Sequence, residues 1–306
     1  MQATATTDQP TFVADAYGPA GRSAWLDVDW RERQRWVFVE ERPINVIELG
    51  SGPPLVFLHG LAGSWQNWLE QLPVFARDHR VIALDLPGFG ASPMPREQIS
   101  IGGFARIVDE VMRALDVERA DLVGNSMGGF IAAEMAIAHP ERVEHLVLVS
   151  AAGITSEHVP VARAIPMLRF AERVLLLTTG WVAAKSDLVA RRPRLRHATL
   201  SAVTAHPAQL PGPLAAEQLR GSGKPGFIDA FYALTHYPIR DRLGHIDAAT
   251  LIVWGERDLV VPVRDADVFA QLIPDARKLV YPDTGHVPML ERPARFNADL
   301  RAFLQA

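Results

Sequence analysis

Gly124-Asn125-Ser126-Met127-Gly128 is a G-x-S-x-G pentapeptide set between two different sequence patterns. A mainly apolar run, residues 120–123, leads in, and a helix-periodic run, residues 130–138, leads out. A serine on a sharp strand-to-helix turn holds its hydroxyl above the sheet, where it can attack a carbonyl carbon. The glycines suit such a turn because it is strained, and because strand and helix pass too close for a Cβ. Alone the pattern is weak, since roughly one chain in ten of this length would carry it by chance. Its weight depends on the strand–turn–helix setting and on whether base and acid partners exist.

Outward from the pentapeptide, strand and helix patterns alternate. Residues 55–58 (Leu-Val-Phe-Leu) are wholly apolar, as expected of a strand buried on both faces. Residues 65–76 and 101–115 have helical spacing, and 80–84 and 143–149 read as strands. Upstream, 24–30, 35–39 and 44–49 read as antiparallel strands. The rhythm breaks after Ala152, where 154–244 carries amphipathic helical patterns, many prolines and no convincing strand. It resumes with strands at 250–254 and 278–281 and helices at 264–272 and 293–304. Such alternation implies a parallel sheet with helices on both faces. The expected class is α/β, a mostly parallel eight-stranded sheet flanked by helices. Its core is 21–153 plus 245–306, with 154–244 a helical cap. The Thr/Ala/Gln/Pro-rich residues 1–20 are expected to be disordered.

Bulk properties exclude several function classes. The 306 residues are 48% hydrophobic and 22% charged, with a net charge of -4, which offers nothing to nucleic acid. Cysteine is absent, so disulfides, thiolate catalysis and thiolate metal sites are excluded. No His-x-x-x-His pair occurs, and neither metal nor cofactor is expected. No apolar run approaches a membrane span, and the polar residues 1–10 lack a signal-peptide pattern. A cytoplasmic setting is the expectation, with a homodimer left open.

Acyl transfer from serine needs a base, a carboxylate to orient it, and two amides for the oxyanion. Of ten histidines, His286 stands out, because it follows the last strand on a carboxyl-end loop. His79, His139 and His145 lie at the ends of elements and read as structural. Asp258, Glu256 and Asp283 compete for the acid role; Asp258 follows the penultimate strand, and Asp283 lies only three residues from His286. One oxyanion amide should be that of Met127, at a helix N-terminus. The other should come from His59-Gly60-Leu61-Ala62-Gly63, where Leu61 is the choice.

Five segments, in order, resemble the α/β-hydrolase fold enzymes of the lidded esterase and lipase-like group. They are His59-Gly60, residues 85–92 (Asp-Leu-Pro-Gly-Phe-Gly-Ala-Ser), 124–129, 255–258 and Gly285-His286. The resemblance implies Ser126 as nucleophile, His286 as base, Asp258 as its partner, and 154–244 as the cap over the site. It implies a structural role for 85–92. Ser126 argues against the haloalkane dehalogenases and epoxide hydrolases, which place an aspartate there. Gly-Asn-Ser-Met-Gly-Gly is similar to the elbow of hydrolases that cleave carbon–carbon bonds in meta-ring-fission products. Those enzymes usually carry tryptophan after the catalytic histidine, where this chain has Val287. The expected activity is therefore hydrolysis of small to medium apolar carboxylic esters, with carbon–carbon hydrolysis the alternative and a hydrolase-derived ligand receptor a remote third.

Within the insertion, Trp181, Phe227, Phe231 and Tyr232 are candidates for an acyl pocket or for cap core. Arg191, Arg192, Arg194 and Arg196 read as a solvated face, and 221–226 as a flexible loop or hinge. Asn125 is expected to hydrogen-bond beneath the elbow.

Overall fold

The computed structural model describes residues 16–19, 21–155 and 184–306. Eight strands form one sheet in the order β1-β2-β4-β3-β5-β6-β7-β8. They are β1 (Gln34–Val39), β2 (Arg42–Leu49), β3 (Pro54–Leu58), β4 (Arg80–Leu84), β5 (Ala120–Asn125), β6 (Val143–Val149), β7 (Ala249–Gly255) and β8 (Ala276–Tyr281). The β1–β2 and β2–β4 pairs are antiparallel, and every later pair is parallel.

Strands β3 and β5 are buried along their length, which explains the unbroken apolar run 55–58 and the mainly apolar run 120–123. Two apolar layers cover the sheet. On one side lies the helix Met127–Ala138, apolar on nearly every side except for Glu134, which pairs with Arg242, because it is sandwiched between the sheet and the helix Ile101–Ala114. The latter is amphipathic, and the Ser100 hydroxyl caps it by accepting from Gly103 N–H at 3.0 Å. On the other side Trp68, Phe75, Phe296 and Leu300 pack over Phe57 and Val123.

Four local expectations are corrected. Residues 24–30 form no strand; a 3-10 turn, Ala24–Asp27, and a short helix, Trp30–Arg33, stand there. Trp25 turns inward so that its indole N–H and the Ser23 hydroxyl both donate to the buried Glu70 carboxylate, at 2.8 and 2.6 Å. Residues 65–76 form two short helices, Trp65–Trp68 and Leu72–Phe75. Pro73, without an N–H, cannot continue a helix entered at 65 and instead opens the second one. Residues 16–19 are anchored: Gly18 N–H donates to Glu291 O at 2.7 Å, and the Tyr17 hydroxyl donates to the Glu291 carboxylate at 2.8 Å. The other residues of 1–20 that were expected to be disordered, 1–15 and 20, lie outside the described residues.

The fourth correction concerns Arg196. Arg191, Arg192 and Arg194 are exposed, but Arg196 is buried among the helical segments. Its guanidinium donates to Ala208 O at 2.7 Å, Pro207 O at 3.3 Å and Ala190 O, tying three turns together. Between β6 and β7 the described residues form helices and no strand, with Ser186–Ala190, Pro193–Leu200, Gly212–Arg220 and Phe227–His236 the main ones. No helix among the described residues is long and apolar enough to cross a membrane.

Candidate active site

Ser126 sits between the end of β5 and the first turn of Met127–Ala138, with φ 54° and ψ -116°. A side chain in that region costs about 1–3 kcal/mol, and the surroundings impose it. Ser126 N–H donates to Val149 O at 2.9 Å, and Ser126 O accepts from Ala152 N–H at 3.1 Å. The glycines are steric necessities. A Cβ on Gly124 would lie 2.2 Å from Gly128 O, and one on Gly128 would lie 2.2 Å from Leu58 O.

Asn125 works beneath the turn, as expected. Its amide donates to Val149 O at 3.1 Å and to His286 O at 3.3 Å, so it joins the elbow to the histidine loop.

His286 Nδ1 meets Asp258 Oδ2 at 2.8 Å, and the Asp258 side chain is fully buried. Its other oxygen, Oδ1, accepts from Val260 N–H at 2.8 Å and Val261 N–H at 2.9 Å. Both oxygens are thus assigned, and Nδ1 carries a proton toward the carboxylate, leaving Nε2 free to accept one. The rival acids are engaged elsewhere. Asp283 pairs with His206 at 2.7 Å and with Arg257 at 2.7 Å, and Glu256 accepts from Asp283 N–H.

His59 is fully buried and is no base. Its Nε2 accepts from Leu86 N–H at 3.0 Å, so Nδ1 bears the proton and donates to Gly60 O at 2.8 Å. Burial, the largest cause, lowers its pKa and keeps the ring neutral. Asp85 is structural, as the resemblance implied. Its carboxylate accepts from Trp65 N–H, Asn45 Nδ2 and Ala91 N–H at 2.7–2.8 Å. Together these bonds hold the 59–63 loop at the carboxyl end of β3. There Gly63 N–H closes a turn on Gly60 O, Ala62 adopts φ 61°, and neither Leu61 N–H nor Met127 N–H donates to another group among the described residues.

Ser126, His286 and Leu61 all border one cavity of about 190 Å³. Leu200, Leu210, Leu219, Val287 and Leu290 supply apolar wall, and Asn67 and Gln218 supply amides. The structure therefore brings Ser126, His286, Asp258 and Leu61 to one place, with Met127 directly behind Ser126. Of the insertion's aromatics, Phe227, Phe231 and Tyr232 are half-buried and do not line this cavity. Trp181 lies outside the described residues. A wider depression of about 360 Å³ opens outside the 60–67 loop, beside Trp30, Trp65 and Lys224, but it holds no nucleophile–base pair. No cluster of potential metal ligands occurs among the described residues.

Sequence reasoning missed three contributions. Asn67 Nδ2 donates to Gln218 Oε1 at 2.7 Å, linking the short helix Trp65–Trp68, just after the 59–63 loop, to the helix Gly212–Arg220. Gly226 N–H donates to Gly88 O at 3.0 Å, so the 221–226 loop is fastened to the core rather than free. Glu291 accepts from backbone on both sides of His286. The first two leave no sequence signal, because each joins residues far apart in the chain; the third is local, but nothing in the sequence turns the Glu291 side chain back onto that loop.

Comparison with known proteins agrees with this architecture. Residues 53–293 match the α/β hydrolase fold family, and the chain belongs to it. It is a hydrolase of that family. It is 32% identical to the 2-hydroxymuconate semialdehyde hydrolase of Pseudomonas sp. (strain CF600), over 85% of this chain and 89% of that protein. Among solved structures it is similar to Est816, an N-acyl homoserine lactone degrading enzyme, with 31% identity and a TM-score of 0.69 over 88% of this chain and 100% of that one. A bacterial membrane phospholipase A is also similar, at 29% identity and a TM-score of 0.72 over 92% and 90% of the two chains.

Proposed function

We propose that Ser126 attacks a substrate carbonyl carbon while His286 Nε2 takes the hydroxyl proton. The Asp258 carboxylate holds Nδ1–H and stabilises the imidazolium that forms. The amides of Leu61 and Met127 receive the oxyanion of the tetrahedral intermediate. His286 then protonates the leaving group, and water, activated by the same imidazole, releases the acid and restores Ser126. The observation that carries this reading is the 2.8 Å pairing of His286 Nδ1 with buried Asp258, on a histidine that shares a cavity with a strained serine elbow. The same reading divides the chain into a core (21–153 and 245–306) and a cap (154–244). The lining residues Thr199, Leu200, Val203, Leu210 and Leu219 all come from the cap part.

The bond cleaved is a carbon–carbon bond of a meta-ring-fission product. This rests on the named relatives, the 2-hydroxymuconate semialdehyde hydrolase and the 2-hydroxy-6-oxo-6-phenylhexa-2,4-dienoate hydrolase of Comamonas testosteroni, which is 32% identical over 83% of this chain. Ester or lactone hydrolysis is the second reading. Val287 favours it, because it lines the cavity at the position where the carbon–carbon enzymes usually carry tryptophan. The likeness to the lactone-degrading Est816 favours it too. Loss of the chromophore of a meta-ring-fission product separates the two. The first reading expects turnover that Ser126→Ala abolishes. Turnover of p-nitrophenyl esters or lactones alone would transfer the assignment to the second.

A further inference from the structure

Glu291 is fully buried at the end of the short helix Pro288–Glu291. Its carboxylate accepts from four donors on three separate parts of the chain. Gly285 N–H (2.9 and 3.0 Å to the two oxygens) and Val287 N–H (3.3 Å) flank His286. Ala205 N–H (2.8 Å) belongs to the insertion, and the Tyr17 hydroxyl (2.8 Å) to the N-terminal segment. Tyr17 in turn accepts from His206 N–H at 3.0 Å. His286 itself is held the same way, since its N–H donates to Val203 O at 2.9 Å. Every backbone N–H from 285 to 287 thus ends on the 203–206 segment or on the carboxylate that also grips it.

Burial raises the pKa of Glu291, and burial followed by the Glu291 charge raises that of Tyr17, so the phenol keeps the proton it donates. The contact is close-fitting: a Cβ on Gly285 would stand 2.8 Å from Ala205 N and 3.0 Å from the Glu291 carboxylate. Tyr17 is fixed further by Arg292, whose guanidinium lies 5.2 Å from its ring, and by an edge contact with His206.

We infer that Glu291 and Tyr17 are positioning residues that make the placement of His286 depend on seating of the 203–206 segment. The inference rests on the catalytic role proposed for His286. When 203–206 lifts, His286 N–H loses its acceptor and Glu291 loses a donor, so the imidazole leaves its working geometry. Chemistry is thereby confined to the closed arrangement, and the N-terminal segment acts as the strap that secures it.

Tyr17→Phe removes the hydroxyl and keeps the ring. Steady-state kinetics, the rate at which a fluorophosphonate labels Ser126, and the melting temperature test the idea together. The expected result is a fall in kcat of about tenfold, the worth of one hydrogen bond to a charged acceptor. The labelling rate should fall in parallel, KM should stay within about twofold, and Tm should drop by no more than about 4 °C. Glu291→Gln should show the same split more strongly. A lowered Tm with kcat and labelling unchanged would make the cluster merely structural and overturn the inference, as would a rise in KM alone. Failure of the wild-type chain to label at Ser126 would instead overturn the catalytic reading beneath it.

Discussion

Asp258→Asn tests the orientation of the base atom by atom. In the native site Oδ1 is committed to the amides of Val260 and Val261, at 2.8 and 2.9 Å, and Oδ2 to His286 Nδ1 at 2.8 Å. Those two amides are donors, so an asparagine must present its oxygen to them. Its NH2 is then forced toward His286. Facing a donor, Nδ1 gives up its proton and Nε2 carries it, which is the tautomer that cannot accept from Ser126. The volume is nearly unchanged and the side chain at 258 is fully buried, so water has no ready access to replace the lost acceptor. A wrong-tautomer imidazole costs about 10⁴ in kcat in serine hydrolases, or about 5.5 kcal/mol in the barrier. The assay is kcat on the best substrate at neutral pH, with Asp283→Asn as control. Asp283 sits nearer to His286 in sequence but pairs with His206 and Arg257, so its variant should lose less than about tenfold. A loss below about tenfold for Asp258→Asn, or a larger loss for Asp283→Asn, would refute the reasoning.

Other consequences concern stability and the elbow. Asp109→Asn removes the opposing charge from Arg142, whose Nε lies 2.6 Å from Asp109, and should cost about 3 kcal/mol in urea unfolding at pH 7. Burial pushes the Asp109 carboxyl up, but hydrogen bonds and charges from Arg113 and Arg142 outweigh it and hold the pKa below the usual value. Its stabilisation is therefore complete above about pH 4 and lost as pH falls through the folded value. The gap between wild type and variant should close in acid, and a gap that widened there would reverse the sign. Gly128→Ala, which drives a Cβ to 2.2 Å from Leu58 O, should lower stability by about 1–3 kcal/mol and activity with it; a fully active, equally stable variant would contradict the close approach. Arg196→Met should lower the melting temperature by removing three carbonyl contacts, with an unchanged Tm the contrary result.

The sheet and the site were legible in the sequence for physical reasons. Strands buried on both faces must be apolar throughout, so 55–58 and 146–149 announced themselves. The elbow needs glycine where no Cβ fits, and a base and an acid would follow strand ends, which pointed to Ser126 and His286 but left Asp258, Glu256 and Asp283 competing until the family resemblance implied Asp258. What could not be read depended on tertiary partners. The alternating aromatics of 24–30 mimicked a strand, yet Trp25 is drawn into a turn by Glu70, a residue 45 positions away. Arg196 sat in a basic run, yet backbone carbonyls 6 to 12 residues distant bury it. Tyr17 lay in a stretch whose composition suggested disorder, and only Glu291, 274 positions on, gives it a place. The bond specificity was weighted toward esters by Val287, whereas the named relatives lean toward carbon–carbon hydrolysis.

The proposed catalysis depends on Ser126 as the attacking group. The most direct measurement is the turnover number of Ser126→Ala against the wild type, on the substrate that the wild type turns over fastest. Loss of the nucleophile, with the cavity and the amides of Leu61 and Met127 intact, should reduce kcat by at least about 10³-fold. Turnover within about tenfold of the wild type, in a preparation free of other hydrolases, would contradict the account.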